Sequence, residues 1–102
     1  MNDSILTLLG LIRRAGKLDF TDSGCRSALN ENRSCLIIIA KDASSSVIQR
    51  FVNRSKAQEV PCIVSDYTKY DLSVSLGCAS CCVVSVNDRG FAEKILSSSG
   101  NQ

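Results

Sequence analysis

At 102 residues and 44% hydrophobic content, the chain has the size of one ordinary globular domain with room for a real core. Its 12 Lys and Arg against 10 Asp and Glu leave a net charge of +2, too little to mark a nucleic-acid partner by sum alone. The apolar run from Leu36 to Ala40 is far too short to span a bilayer, and "MNDSILTLLGLIRR" lacks the basic n-region and cleavage site of a signal peptide. A cytoplasmic protein with no membrane contact is expected.

Ile5, Leu8, Leu9 and Ile12 recur at i, i+3, i+4 and i+7, which predicts an amphipathic first helix. Asn2 or Asp3 can cap it, Arg13 and Arg14 suit its last turn, and Gly16 fits the residue just past its end. "KLDF" reads as a short strand or extended segment. "FTDSGCRS", Phe20 to Ser27, opens a second helix, with Thr21 or Asp22 as N-cap and Cys25, Ala28 and Leu29 facing inward. That helix should end near Asn32. "CLIIIA", Cys35 to Ala40, is β-branched and apolar on both faces, so it reads as a central strand covered on both sides. After the polar "KDASSS", a third helix is predicted with a stripe of Val47, Ile48, Phe51 and Val52, stopping by Gln58.

"VPCIV" reads as a second buried strand, with Pro61 near its start where a missing N–H is tolerated. Thr68 to Asp71 resembles a capping box that opens a short helix through Leu76, stopped by Gly77. "CCVVSV" is a third strong strand, "NDRG" a turn and cap, and Phe91, Ala92, Ile95 and Leu96 stripe the last helix. No repeat or linker interrupts the pattern, so one domain over 1–97 with a frayed tail over 98–102 is expected. Strands alternating with helices predict a mostly parallel sheet in a three-layer α/β/α sandwich.

The chemistry-bearing residues are few. There is no histidine, which removes His-based triads and His metal sites. No glycine-rich phosphate cradle is present, and Asp22, Asp42, Asp66 and Asp88 each sit where helix capping accounts for them. The chain is expected to be non-catalytic and without a cofactor or metal. Six cysteines (Cys25, Cys35, Cys62, Cys78, Cys81 and Cys82) are even in number, but three lie in apolar contexts and all are taken as reduced. "CASCC", Cys78 to Cys82, contains a C-x-x-C of the kind that suits redox exchange or half a zinc site, but it closes a short helix late in the chain instead of opening one after the first strand, and small loop residues plus a packed thiol are the favoured account. Arg13, Arg14 and Lys17, with Arg26, form a basic group that fits either a solvated helix end or a phosphate contact.

Taken together, "LLGLIRRAGKL", "LIIIAKDAS", "VPCIV", the Leu76–Gly77 pair and "VVSVNDRGFAEKI" resemble the ribosomal-protein-like family of kink-turn RNA binders, most closely its small bacterial subgroup. The resemblance spans nearly the whole chain. It implies an α/β/α sandwich around a mixed four-stranded sheet in which "KLDF" is the fourth strand. It also implies binding of structured, kink-turn-like RNA, in some members on the ribosome, by a monomer. In that family a G-N-E-x-x-x-K pattern at a helix start carries RNA binding. Here it falls on Thr21 at Gly, Asp22 at Asn, Ser23 at Glu and Ser27 at Lys, with Arg26 beside the absent lysine. A second binding loop falls on Gly77, Cys78, Ala79, Ser80 and Cys81, and Lys41 lies in the matching "IAKDAS" loop. Arg14, Lys17 and Arg26 would supply phosphate contacts. A protein-interaction scaffold that has lost kink-turn recognition is the alternative.

Overall fold

The computed structural model describes residues 4–100, with side chains through Ser97; the expected caps at Asn2 and Asp3 lie outside the described residues. The elements alternate as the patterning requires: α1 (Ser4–Arg14), β1 (Leu18–Asp19), α2 (Asp22–Asn30), β2 (Leu36–Ile39), α3 (Ser45–Ala57), β3 (Cys62–Val64), α4 (Lys69–Leu76), β4 (Val83–Val86) and α5 (Arg89–Gly100). The four strands form one sheet in the order β1-β4-β2-β3.

The period-2 pleat of the two central strands divides the core. Leu36, Ile38, Val84 and Val86 point to one face, where Leu9 and Ile12 of α1, Leu72 and Leu76 of α4, and Ala92 and Ile95 of α5 cover them. Ile37, Ile39 and Val83 point to the other face and meet Cys25 and Leu29 of α2 and Phe51 of α3. Every residue of β2 and β4 is buried, so both strands need helices on both sides. This is the expected three-layer α/β/α sandwich.

Several expectations from the sequence pattern are corrected. The sheet is mixed, as the family resemblance implies and contrary to the mostly parallel sheet read from the alternation of strands and helices: only β2 and β3 run parallel, and β4 is antiparallel to both β1 and β2. The chain leaves β3 at Val64, opposite Ile39, and re-enters the sheet at Val83, also opposite Ile39. The intervening α4 is eight residues, about 12 Å, and packs across α1 instead of carrying the chain back along the sheet. Second, "VPCIV" is an edge strand and not a buried one: Cys62 and Ile63 are half-buried and Val64 is exposed. Third, Val52 of the predicted α3 stripe is exposed, while its neighbour Phe51 is fully buried, because a 100° step between neighbours lets only one face the sheet. In addition, α2 stops at Asn30, two residues early, where the chain turns through Asn32 at φ 60.

The caps are local and specific. Thr68 accepts from Asp71 N and Asp71 accepts from Thr68 N, both at 3.0 Å, a complete capping box with Asp in the usual Glu position. Gly77 ends α4 in the left-handed region at φ 70, and a Cβ there would meet only Arg13 Nη1 at 3.7 Å, an ordinary contact. Gly77→Ala therefore carries a backbone cost alone, and a loss of about 1 kcal/mol is expected. Urea denaturation should show this as a lower midpoint at unchanged slope.

Candidate nucleic-acid interface

The strand pairings bring four loops to one end of the sheet. The C-terminal ends of β1, β2 and β3 and the start of β4 all lie there, since Asp19 faces Ser85 and Ile39 faces both Val64 and Val83. Backbone bonds stitch the loops together. Ala40 N donates to Cys82 O at 2.9 Å, Lys41 N to Tyr67 O at 2.8 Å and Ser65 N to Ile39 O at 2.9 Å. The Asp42 carboxylate, expected to cap the helix that follows it, instead accepts from Lys69 N at 2.8 Å and so caps α4 across the loops. Ser44 takes over the N-cap of α3, accepting from Val47 N at 3.3 Å.

At the start of α2, Thr21 is the N-cap, with Oγ1 accepting from Gly24 N at 3.0 Å, and Asp22 is the first helical residue. Gly24 has to be small: a Cβ there would stand 2.8 Å from Thr21 Oγ1 and 3.1 Å from Asp19 Oδ1. Beneath the turn, the buried Cys25 thiol points at the carbonyls of Asp19 (3.5 Å) and Val83 (3.8 Å), which ties α2 to β1 and β4.

Asp22 is doubly clamped. Its Oδ1 accepts from Arg26 Nε at 2.8 Å, one helical turn along α2, and both oxygens accept from Arg50 Nη1 of α3 at 2.9 Å. One carboxylate between two guanidiniums leaves this trio with a net single positive charge. Across the same end, Arg13 donates from Nη1 to Leu76 O, the last carbonyl of α4, and lies 4.6 Å over the Phe20 ring. Arg13 thereby links the entry to α2 with the entry to the Gly77–Ser80 loop.

Of the residues singled out in the sequence, Thr21, Asp22, Ser23, Arg26, Ser27, Lys41, Gly77, Cys78, Ala79 and Ser80 belong to the elements and loops that meet at this end of the sheet. Arg14 and Lys17 come from outside these loops. Arg14 is one 100° step round α1 from Arg13; it lines the groove between α1 and α4 and, with Arg13, the hollow that reaches Leu76 and Gly77 at the entry to the second loop. Lys17 precedes β1, and its carbonyl accepts from Asn87 N beyond the far end of β4. Arg50 was missed. It reads as an ordinary polar position of α3, and nothing in a 28-residue separation announces a partnership with Asp22. Arg13 was visible only as one member of the basic group.

The C-x-x-C segment has no activated thiol at Cys81. That residue is 2% exposed, its Sγ points at Val83 O (3.5 Å), and burial, with the neighbouring Cys78 and Cys82, pushes its pKa up to about 12. Burial likewise raises Cys25 and Cys62. All six cysteines are free thiols. Among the described residues, no three His, Cys, Asp or Glu side chains converge as a metal ion would need, and no helix is long and apolar enough to cross a membrane.

No protein-family model matches the chain. Over 94 residues it is 31% identical to the RNA-binding protein YlxQ of Bacillus subtilis (strain 168), covering 88% of this chain and 89% of that protein. The chain belongs to the YlxQ family. Solved structures share its fold. A protein of unknown function from Bacillus halodurans superposes with a TM-score of 0.88 at 24% identity, over 94% of this chain and 96% of that one. The Giardia lamblia 15.5kD RNA binding protein superposes with a TM-score of 0.80 at 17% identity, over 92% and 82% respectively. The mixed sheet and the cluster of loops at its end are thus built into this YlxQ-family chain by a fold that tolerates wide sequence change.

Two outcomes are expected for the thiols. Disulfide-exchange titration of the native protein at pH 8 should leave Cys25 and Cys81 unreacted, and both should react in guanidinium. Stability should also fall as pH rises from about 9 toward 12, because the unfolded chain releases thiol protons that the folded chain still holds. Cys81 contributes at most about 1.4 kcal/mol per pH unit to that slope, and urea denaturation of Cys81→Ala at pH 8 and 10 should show this share gone.

Proposed function

We propose that this YlxQ-family protein is a non-catalytic RNA-binding module that recognises structured, kink-turn-like RNA as a cytoplasmic monomer, with ribosomal RNA as a candidate target. The observation that carries the reading is the convergence, at one end of the sheet, of the α2 start, the Lys41 loop and the Gly77–Ser80 loop. A helix N-terminus offers unpaired N–H groups and a positive dipole end to phosphate. The small exposed residues Gly77, Ala79 and Ser80 leave room for unstacked bases. The names of the B. subtilis and G. lamblia proteins, both RNA-binding, support the same reading. In this reading Thr21, Asp22, Ser23, Arg26, Ser27, Lys41 and Gly77 to Ser80 form the interface, Arg14 flanks it on the Gly77 side, and Lys17 adds phosphate attraction from before β1.

A second reading, a protein-binding scaffold of the same fold, is favoured by the groove between α1 and α4. It measures about 430 Å³ and is bordered by Tyr70 and Val74, 76% and 62% exposed, with Arg14 alongside. The two readings separate in one binding measurement. A kink-turn RNA and a duplex of equal length lacking the tandem G·A pairs are titrated with the protein at two salt concentrations. Tighter binding to the kink-turn at both salts is expected. Equal, weak and salt-sensitive binding to both RNAs would reject kink-turn recognition and move the assignment to the scaffold.

A further inference from the structure

The start of α2 holds an arrangement that neither its helix cap nor its family pattern calls for. Both oxygens of Asp22 are engaged, Oδ1 by Arg26 and Arg50 together and Oδ2 by Arg50. A carboxylate in that state has to break charge-assisted bonds before it can accept from a base edge. The guanidiniums are placed differently. Arg26 engages Asp22 through Nε and Arg50 through Nη1, so most of the five N–H donors on each have no protein partner among the described residues. Their side chains are 43% and 37% exposed. The two forks come from different helices, and both helices turn their N-termini, the positive dipole ends, toward this end of the sheet. The Arg50 guanidinium also lies 5.5 Å over the Phe51 ring, and the donors not given to Asp22 leave both forks able to bond an anion while those ion pairs stay in place.

We infer that Arg50 of α3 and Arg26 of α2 together form a phosphate-binding fork, and that Asp22 is the positioning residue that holds the two guanidiniums side by side, not a reader of bases. The inference rests on the RNA-binding reading above and names the chemistry of one contact within it: RNA phosphate, bound by paired arginines. Arginine suits the task because its planar fork matches phosphate geometry.

The test compares Arg50→Gln, Arg26→Gln, Arg54→Gln and Asp22→Asn with the unaltered protein, using the kink-turn RNA and its control duplex across a salt series. Arg54, exposed one turn further along α3, controls for loss of charge alone. Arg50→Gln and Arg26→Gln should each weaken binding several-fold at low salt and make the slope of log K against log salt shallower by about 0.7–0.9, one phosphate contact. Arg54→Gln should leave the slope unchanged. Asp22→Asn should change binding to both RNAs by the same factor, leaving the preference for the kink-turn intact. Thermal melts of each variant identify the fraction folded at the binding temperature. Arg50→Gln with unaltered affinity and slope would overturn the inference and leave the cluster as a tie between α2 and α3. An equal loss of slope in Arg54→Gln, or an Asp22→Asn protein that loses only its preference for the kink-turn, would overturn it as well. If the unaltered protein shows no salt-dependent binding to either RNA, the RNA-binding reading falls and takes the inference with it, a result visible before any variant is compared.

Discussion

The antiparallel pairing of β2 with β4 is the interaction on which the rest of the molecule depends. Two four-residue strands, Leu36–Ile39 and Val83–Val86, lie side by side with every residue buried. Neither can be satisfied by one layer of helices, so α1, α4 and α5 have to cover one face while α2 and α3 cover the other. The polar exception fits the same logic. Ser85 is fully buried in β4, and its hydroxyl is bonded to Ser34 Oγ at 2.8 Å and to Asn87 Oδ1 at 2.6 Å. Asn87 in turn donates to Asp19 Oδ2 at 2.9 Å, and Arg33 reaches the same carboxylate. A buried hydroxyl is tolerated because it is fully bonded. The chain of bonds also fixes β1, only two residues long, against the sheet.

Much of this was legible in the sequence, and for a plain reason. The patterns that specify α1, β2, α3 and β4 are local, with apolar residues at a period of 3.6 or in β-branched runs, and the physics that reads them acts over a few residues. Caps at Thr21, Thr68 and Gly77 are local too. Strand direction is not. Whether β4 runs with or against β2 depends on where α4 packs, and α4 has no strongly one-sided face: Leu72 and Leu76 are buried while Tyr70 and Val74 stand in solvent. The edge position of β3 escaped for a related reason, since "VPCIV" is as apolar as a central strand and nothing in it records that no strand follows on its outer side.

The candidate site divides along the same line. Its loops follow from the sequence, because each lies between two well-patterned elements. Its electrostatics do not follow, because Asp22 and Arg50 are brought together only when α2 and α3 settle on the same face of the sheet. A carboxylate at a helix start is a complete explanation of itself in one dimension. In three it becomes the centre of a cationic cluster, and the sign of the local charge is reversed.

The cross-loop cap made by Asp42 bears on how the interface would meet a ligand. The same short segment bonds to α4 through the Asp42 carboxylate and to the loop before it through Lys41 N, so the loop after β2 cannot move without disturbing the start of α4. With the Arg13 link to Leu76 O at the other end of that helix, α4 is held at both termini by neighbouring elements. An edge assembled this way is ordered before anything binds, and less conformational entropy is lost on association. Such preorganisation favours partners that already hold a defined shape over pliable strands that would have to be moulded on contact.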